Sequence, residues 1–80
     1  MKYIYKDQSG NTLTRDEALE NCSRKASQTI VSCKEGFASI DHILGIPIPI
    51  HVFDKNVHTI LSTKNPGEAL EMAELSAAGC

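Results

Sequence analysis

Two helix-start signals constrain this chain more than any other feature. Thr14-Arg15-Asp16-Glu17 and Asn65-Pro66-Gly67-Glu68 each place a side-chain acceptor three residues before a glutamate. The acceptor takes a backbone N–H of the first turn, and the glutamate reaches back to the cap amide. Pro66 stands at the first helical position, where its missing N–H costs nothing. Both signals open into the same string, Glu17-Ala18-Leu19-Glu20 and Glu68-Ala69-Leu70-Glu71, and each follows strand-like sequence. A duplicated strand–strand–helix unit would give this echo. Convergence of good helix formers behind capping boxes gives it too, and is the simpler explanation.

From the first signal the spacing predicts one long helix, near 15–34. Leu19, Cys22, Ala26, Ile30 and Cys33 fall three or four residues apart, on one helical face, and Gly36 would end it. A competing reading breaks the helix near Ser27 and makes Thr29–Cys33 a strand, because Thr29, Ile30 and Val31 are β-branched. The helix is the favoured expectation. Ser39 can cap a short second helix near 40–44, closed by Gly45. The second signal predicts a helix near 66–78 with Leu70, Ala73 and Ala77 inward, broadened by Ala69, Met72 and Leu75.

Strand signals lie outside those helices. Lys2-Tyr3-Ile4-Tyr5-Lys6 alternates, Asp7–Asn11 is a turn cluster, and Thr12-Leu13 can return beside it. Prolines at 47 and 49 restrict the next segment to an edge or an entry. A hairpin near 48–62 follows, with Lys55-Asn56 as a two-residue turn. That turn sets Asp54 opposite Val57, Phe53 opposite His58, Val52 opposite Thr59 and His51 opposite Ile60. One face then carries Ile48, Ile50, Val52, Val57 and Leu61, and should meet the helices. The other carries His51, Phe53, His58 and Ile60. That set is too apolar for ordinary solvent and too polar for a plain core.

Eighty residues make one domain, 1–80. A chain this short buries only about 60% of its unfolded surface. It has room for one small core and one working surface, which favours a binding module over an enzyme. A homodimer is also favoured, because it extends a thin core. No apolar run reaches the ~20 residues of a membrane span, and no signal-peptide core opens the chain. Net charge is −2, which argues against a nucleic-acid binder working by counterion release. The charge is uneven: residues 1–40 carry +1 and residues 41–80 carry −3. Three cysteines, Cys22, Cys33 and Cys80, form an odd set without metal-motif spacing and read as reduced thiols in a cytoplasm. Cys80, at the end of the chain, is a candidate reactive thiol.

Motifs for catalysis are absent from the string. There is no Gly-x-Ser-x-Gly, no His-Glu-x-x-His and no glycine-rich phosphate loop. No cofactor and no metal are expected. His51 and His58 would be diagonal neighbours, yet no third ligand is brought to them.

The sequence therefore predicts an α+β fold. A small antiparallel sheet, built from the N-terminal strand and the hairpin near 48–62, carries the three helices on one face. The expected function is that of a non-catalytic protein-binding module, an inhibitor or adaptor occupying a surface of a larger partner. Its expected contact residues are His51, Phe53, His58 and Ile60. A weak single-stranded nucleic-acid or nucleotide binder on the sheet, with Tyr3, Tyr5 and Phe53 as stacking candidates, is the first alternative. A thiol- or metal-dependent activity is the second.

Overall fold

The computed structural model describes residues 2–24, 28–42 and 48–79. Among them the chain forms β1 (Ile4–Asp7), β2 (Thr12–Leu13), α1 (Arg15–Asn21), β3 (Gln28–Cys33), β4 (Gly36–Asp41), β5 (Ile50–Phe53), β6 (Thr59–Thr63) and α2 (Pro66–Ala77). The fold is α+β. All six strands join one antiparallel sheet in the order β2-β1-β3-β4-β5-β6. Both helices lie on the same face of it. No helix among the described residues is long and apolar enough to cross a membrane.

The long helix expected near 15–34 does not form. The capping box at its start is present: Thr14 Oγ1 accepts from the Glu17 amide at 3.1 Å, and Glu17 Oε1 accepts from the Thr14 amide at 2.8 Å. The helix stops at Asn21, and Gln28–Cys33 is a strand. Thr29, Ile30 and Val31 lose side-chain freedom in a helix and little in a strand. Hydrogen-bonded neighbours on both sides, β1 and β4, complete the case. Alternation then decides burial: Thr29 and Val31 are buried, while Ile30 turns to the opposite face.

Gly36 opens β4 instead of closing a helix, after the two-residue turn Lys34-Glu35. A Cβ there would stand 3.2 Å from the Ala77 carbonyl oxygen, so glycine lets the end of α2 approach the strand. The short helix near 40–44 is likewise replaced, for Ser39, Ile40 and Asp41 belong to β4. His42 follows β4 in no element, while Ile43 and Leu44 lie outside the described residues, as do Ala26, Gly45, Pro47 and Cys80.

Helix α2 matches its expected span. Asn65 Oδ1 accepts from the Gly67 and Glu68 amides, at 2.9 and 3.3 Å. The Asn65 amide itself donates to Thr63 Oγ1, the bond expected to go to the Glu68 carboxylate. Ala69, Leu70, Ala73 and Ala77 are buried; Leu75, expected to broaden that stripe, is half-exposed. The core lies between sheet and helices. Tyr5, Val31, Ala38, Ile40, Ile50 and Val52 meet Ala18, Cys22 and the α2 row there.

Two polar clusters tie the layers together. Tyr5 on β1 donates its hydroxyl to Glu74 on α2, and Arg15 on α1 grips the same carboxylate with Nε and Nη2, at 2.9 and 3.1 Å. The second cluster explains how α1 hands over to β3. Asn21 Nδ2 donates to Thr29 Oγ1 at 2.8 Å, and Thr29 Oγ1 lies 3.0 Å from His42 Nε2. His42 Nδ1 lies 2.7 Å from the Arg24 carbonyl oxygen. That carbonyl only accepts, so Nδ1 carries the proton and Nε2 accepts from the threonine.

Candidate functional site

With both helices on one side, no element among the described residues covers the other, open face of the sheet. Alternation assigns it Ile4, Lys6, Gln28, Ile30, Ser32, Phe37, Ser39, Asp41, His51 and Phe53. The strand pairing makes an ordered pattern of them. Ile4 pairs with Ser32, which pairs with Phe37; Lys6 pairs with Ile30, which pairs with Ser39, which pairs with Phe53. Ile4, Ile30, Phe37 and Phe53 are therefore successive diagonal neighbours, about 7–8 Å apart. They form a zigzag apolar stripe across β1, β3, β4 and β5. Ile4 and Phe37 are each 47% exposed, unusual for large apolar side chains on the middle of a sheet. Beside the stripe runs a polar row, Gln28–Asp41–His51–Ser62, in which His51 Nδ1 lies 2.8 Å from Ser62 Oγ.

The four expected contact residues separate. His51 and Phe53 share the open face, two residues apart on β5 and half-buried. His58 lies beyond the strand, in the turn, with its side chain 76% exposed and Nδ1 3.4 Å from Asp54 Oδ2. Ile60 is half-buried against the core cluster. Ile30 and Phe37 join the face: the helical spacing near 15–34 conceals the first, and the helix expected near 40–44 conceals the strand that carries the second.

The hairpin register explains this separation. Lys55-Asn56 is central to the turn, as expected, and the Val57 amide donates to the Asp54 carbonyl at 2.9 Å. Val57 then adopts φ 63°, so Asp54 meets His58 instead of Val57; its amide donates to the His58 carbonyl at 3.0 Å. A second irregularity between Val52 and Phe53 sets Phe53 opposite Thr59 and Val52 opposite Leu61. The two one-residue shifts add to a register change of two residues, which restores the original facing. Leu61 keeps its place on the core side, and Ile60 becomes the extra residue of a bulge.

Asp54 organises this turn: Oδ1 accepts from the Asn56 and His58 amides, both at 2.9 Å. Those bonds, the His58 amide first, hold its carboxyl below the usual carboxylate range. Val57, expected to face the helices, is 75% exposed. It occupies a left-handed conformation that a β-branched residue adopts at a cost.

Tyr5 is buried on the helix side, and Tyr3 packs against the same core, so neither presents a ring on the open face. Cys22 is buried, and desolvation pushes its thiol up, away from the reactive thiolate. Burial pushes His42 down, against the hydrogen bond to Arg24, and its two nitrogens are committed. A cleft of about 250 Å³ between α1 and the first hairpin is lined by Asp7, Glu17 and Glu20. Those acids already serve a turn, a helix cap and an ion pair to Arg24. Among the described residues, no three His, Cys, Asp or Glu side chains converge as metal ligands would.

The sequence matches no protein-family model, no curated protein and no solved structure. Geometry alone therefore bears on what the chain does.

Proposed function

We propose that this chain is a small non-catalytic protein-binding module that acts by occupying a surface of a larger partner, as an inhibitor or adaptor. The supporting observation is the open sheet face, with its stripe of Ile4, Ile30, Phe37 and Phe53. A two-layer α+β domain gains nothing for its own core from two phenylalanines on the uncovered side. A docked protein surface would bury them, and His51 and Ser62 would form part of the polar rim that such interfaces carry. His58 and the Val57 tip extend the surface beyond the strands, and Ile60 supports it from the bulge. The unpaired cysteine pattern suits a reducing cytoplasm.

Capture of proteins from an extract of the native host tests the reading. Phe53→Ala should abolish capture while the far-UV spectrum stays unchanged. Unchanged capture would remove Phe53 from the contact surface.

A second reading draws on the diagonal pair of rings, Phe37 and Phe53, on which two bases of a single strand could stack. The acidic net charge and Asp41 on the same face weigh against it. A gel shift at low salt with single-stranded oligonucleotides decides it; no shift removes the idea.

A further inference from the structure

The open face has a definite pattern, and the pattern is self-complementary. Across β3 and β4 large and small side chains alternate: Ile30 pairs with Ser39, and Phe37 pairs with Ser32. Consider a two-fold axis in the plane of the face, parallel to the strands and midway between β3 and β4. It keeps positions along the strands and exchanges β3 with β4, and β1 with β5. Ile30 then stands over Ser39 of a second copy, and Phe37 over Ser32 of that copy. Each large side chain meets a small one flanked by large neighbours, which is how packed layers interdigitate. Lys6 falls over Phe53 of the second copy, a cation on a ring face. Asp41 falls over Gln28 of the second copy, a carboxylate facing an amide. No two like charges meet.

The dimensions agree. The Cα extents are 33, 24 and 19 Å, and a standard interface takes about 800 Å² from each partner. Face-to-face sheets about 10 Å apart are an ordinary packing.

We infer that this chain forms a symmetric homodimer by packing the open faces of two sheets together, with helices outermost in four layers. The inference rests on the reading of this face as a protein-docking surface and names its occupant as a second copy. Any other protein that docks on the face must displace that copy.

Sedimentation equilibrium under reducing conditions tests it. At roughly 100 μM, in the range where modest interfaces are populated, the wild type should sediment at twice the 8.7 kDa chain mass. Phe37→Glu and, independently, Ser39→Lys should weaken association about 100-fold or more and sediment as monomers with unchanged far-UV spectra. Leu75→Glu, on the half-exposed helical side, should remain dimeric. A monomeric wild type overturns the inference, and so does a dimer that tolerates both open-face substitutions. A monomeric wild type whose host-protein capture still depends on Phe53 overturns the dimer alone. Loss of both properties overturns the docking surface as well.

Discussion

Phe37 on β4 and Phe53 on β5 stand on the same uncovered side of the sheet as diagonal neighbours, because Phe53 pairs with Ser39, two residues beyond Phe37. No helix among the described residues reaches that side. Phe37 is 47% exposed there and Phe53 is half-buried. Removing the Phe37 ring should therefore cost the fold little. Phe37→Ala is expected to change stability by no more than about 0.5 kcal/mol, as at other exposed sites, in urea unfolding followed by circular dichroism.

Val57 gives a sharper prediction. Its φ of 63° belongs to glycine or asparagine, and its side chain is 75% exposed. A left-handed β-branched residue gives up about 1 kcal/mol or more. Val57→Asn should raise the urea midpoint by a corresponding amount without altering the slope. A lower midpoint would show that Val57 makes contacts that outweigh its backbone strain.

The clasp of Tyr5, Glu74 and Arg15 joins three elements. Glu74 keeps only 13% of its side chain exposed, whereas Arg15 is 49% exposed, so solvent screens much of the ion pair. Glu74→Ala should cost about 1–2 kcal/mol, and Tyr5→Phe about 1 kcal/mol. A double-mutant cycle measures their coupling; strict additivity would mean that the hydrogen bond contributes nothing.

Buried polar satisfaction makes Thr29 a sensitive position. Thr29→Val removes the donor to His42 Nε2 and the acceptor for Asn21 Nδ2. It should cost about 1–3 kcal/mol despite its matched shape, read as a lower thermal midpoint.

Stability should form a plateau in pH with two distinct edges. On the acid side, burial tends to raise the Glu74 carboxyl, but the bonds from Arg15 and Tyr5 outweigh it and hold it below its ordinary 4.5. Asp7, bound first by the Asn11 amide, and Asp54 are also held low. A depressed carboxyl contributes stability above its unfolded value and loses it as pH falls. His42 acts in the same direction, since burial lowers it from 6.5 and the unfolded chain takes up the proton first. Stability should therefore begin to fall below about pH 6.5 and fall further below about 4.5. On the alkaline side, burial and the Glu74 bond push Tyr5 up to about 12. Its contribution is complete below 10 and is lost as pH rises through 12. Urea unfolding across pH checks both edges, and Tyr5→Phe should remove the alkaline one.

Several elements were legible in the sequence for identifiable reasons. Capping chemistry is local, so both helix starts and the whole of α2 could be read from Thr14, Asn65 and their neighbours. The end of α1 could not. Leu19, Cys22, Ile30 and Cys33 satisfy a helical spacing, and only pairing with β1 and β4 makes 28–33 a strand. That exchange conceals the outward place of Ile30, and together with the short helix expected near 40–44 it conceals β4, Phe37 and the six-stranded width of the sheet. In the hairpin, the inward set of Ile50, Val52 and Leu61 survived two register shifts that no residue type announces. Val57 is the least expected residue at a left-handed position, and its choice shifted His58 into the turn. The repeated Glu-Ala-Leu-Glu strings do mark equivalent places, since each opens a helix after an edge hairpin of the sheet.

The surface assignment is tested most directly by comparing two pairs of variants against one partner. Once a captured host protein has been purified, its affinity is measured for Phe37→Ala and Phe53→Ala on the open face, and for Glu71→Ala and Leu75→Ala on the helical layer. The account predicts at least a tenfold loss, about 1.4 kcal/mol, for the first pair and no change for the second. Loss confined to the helical pair would contradict it.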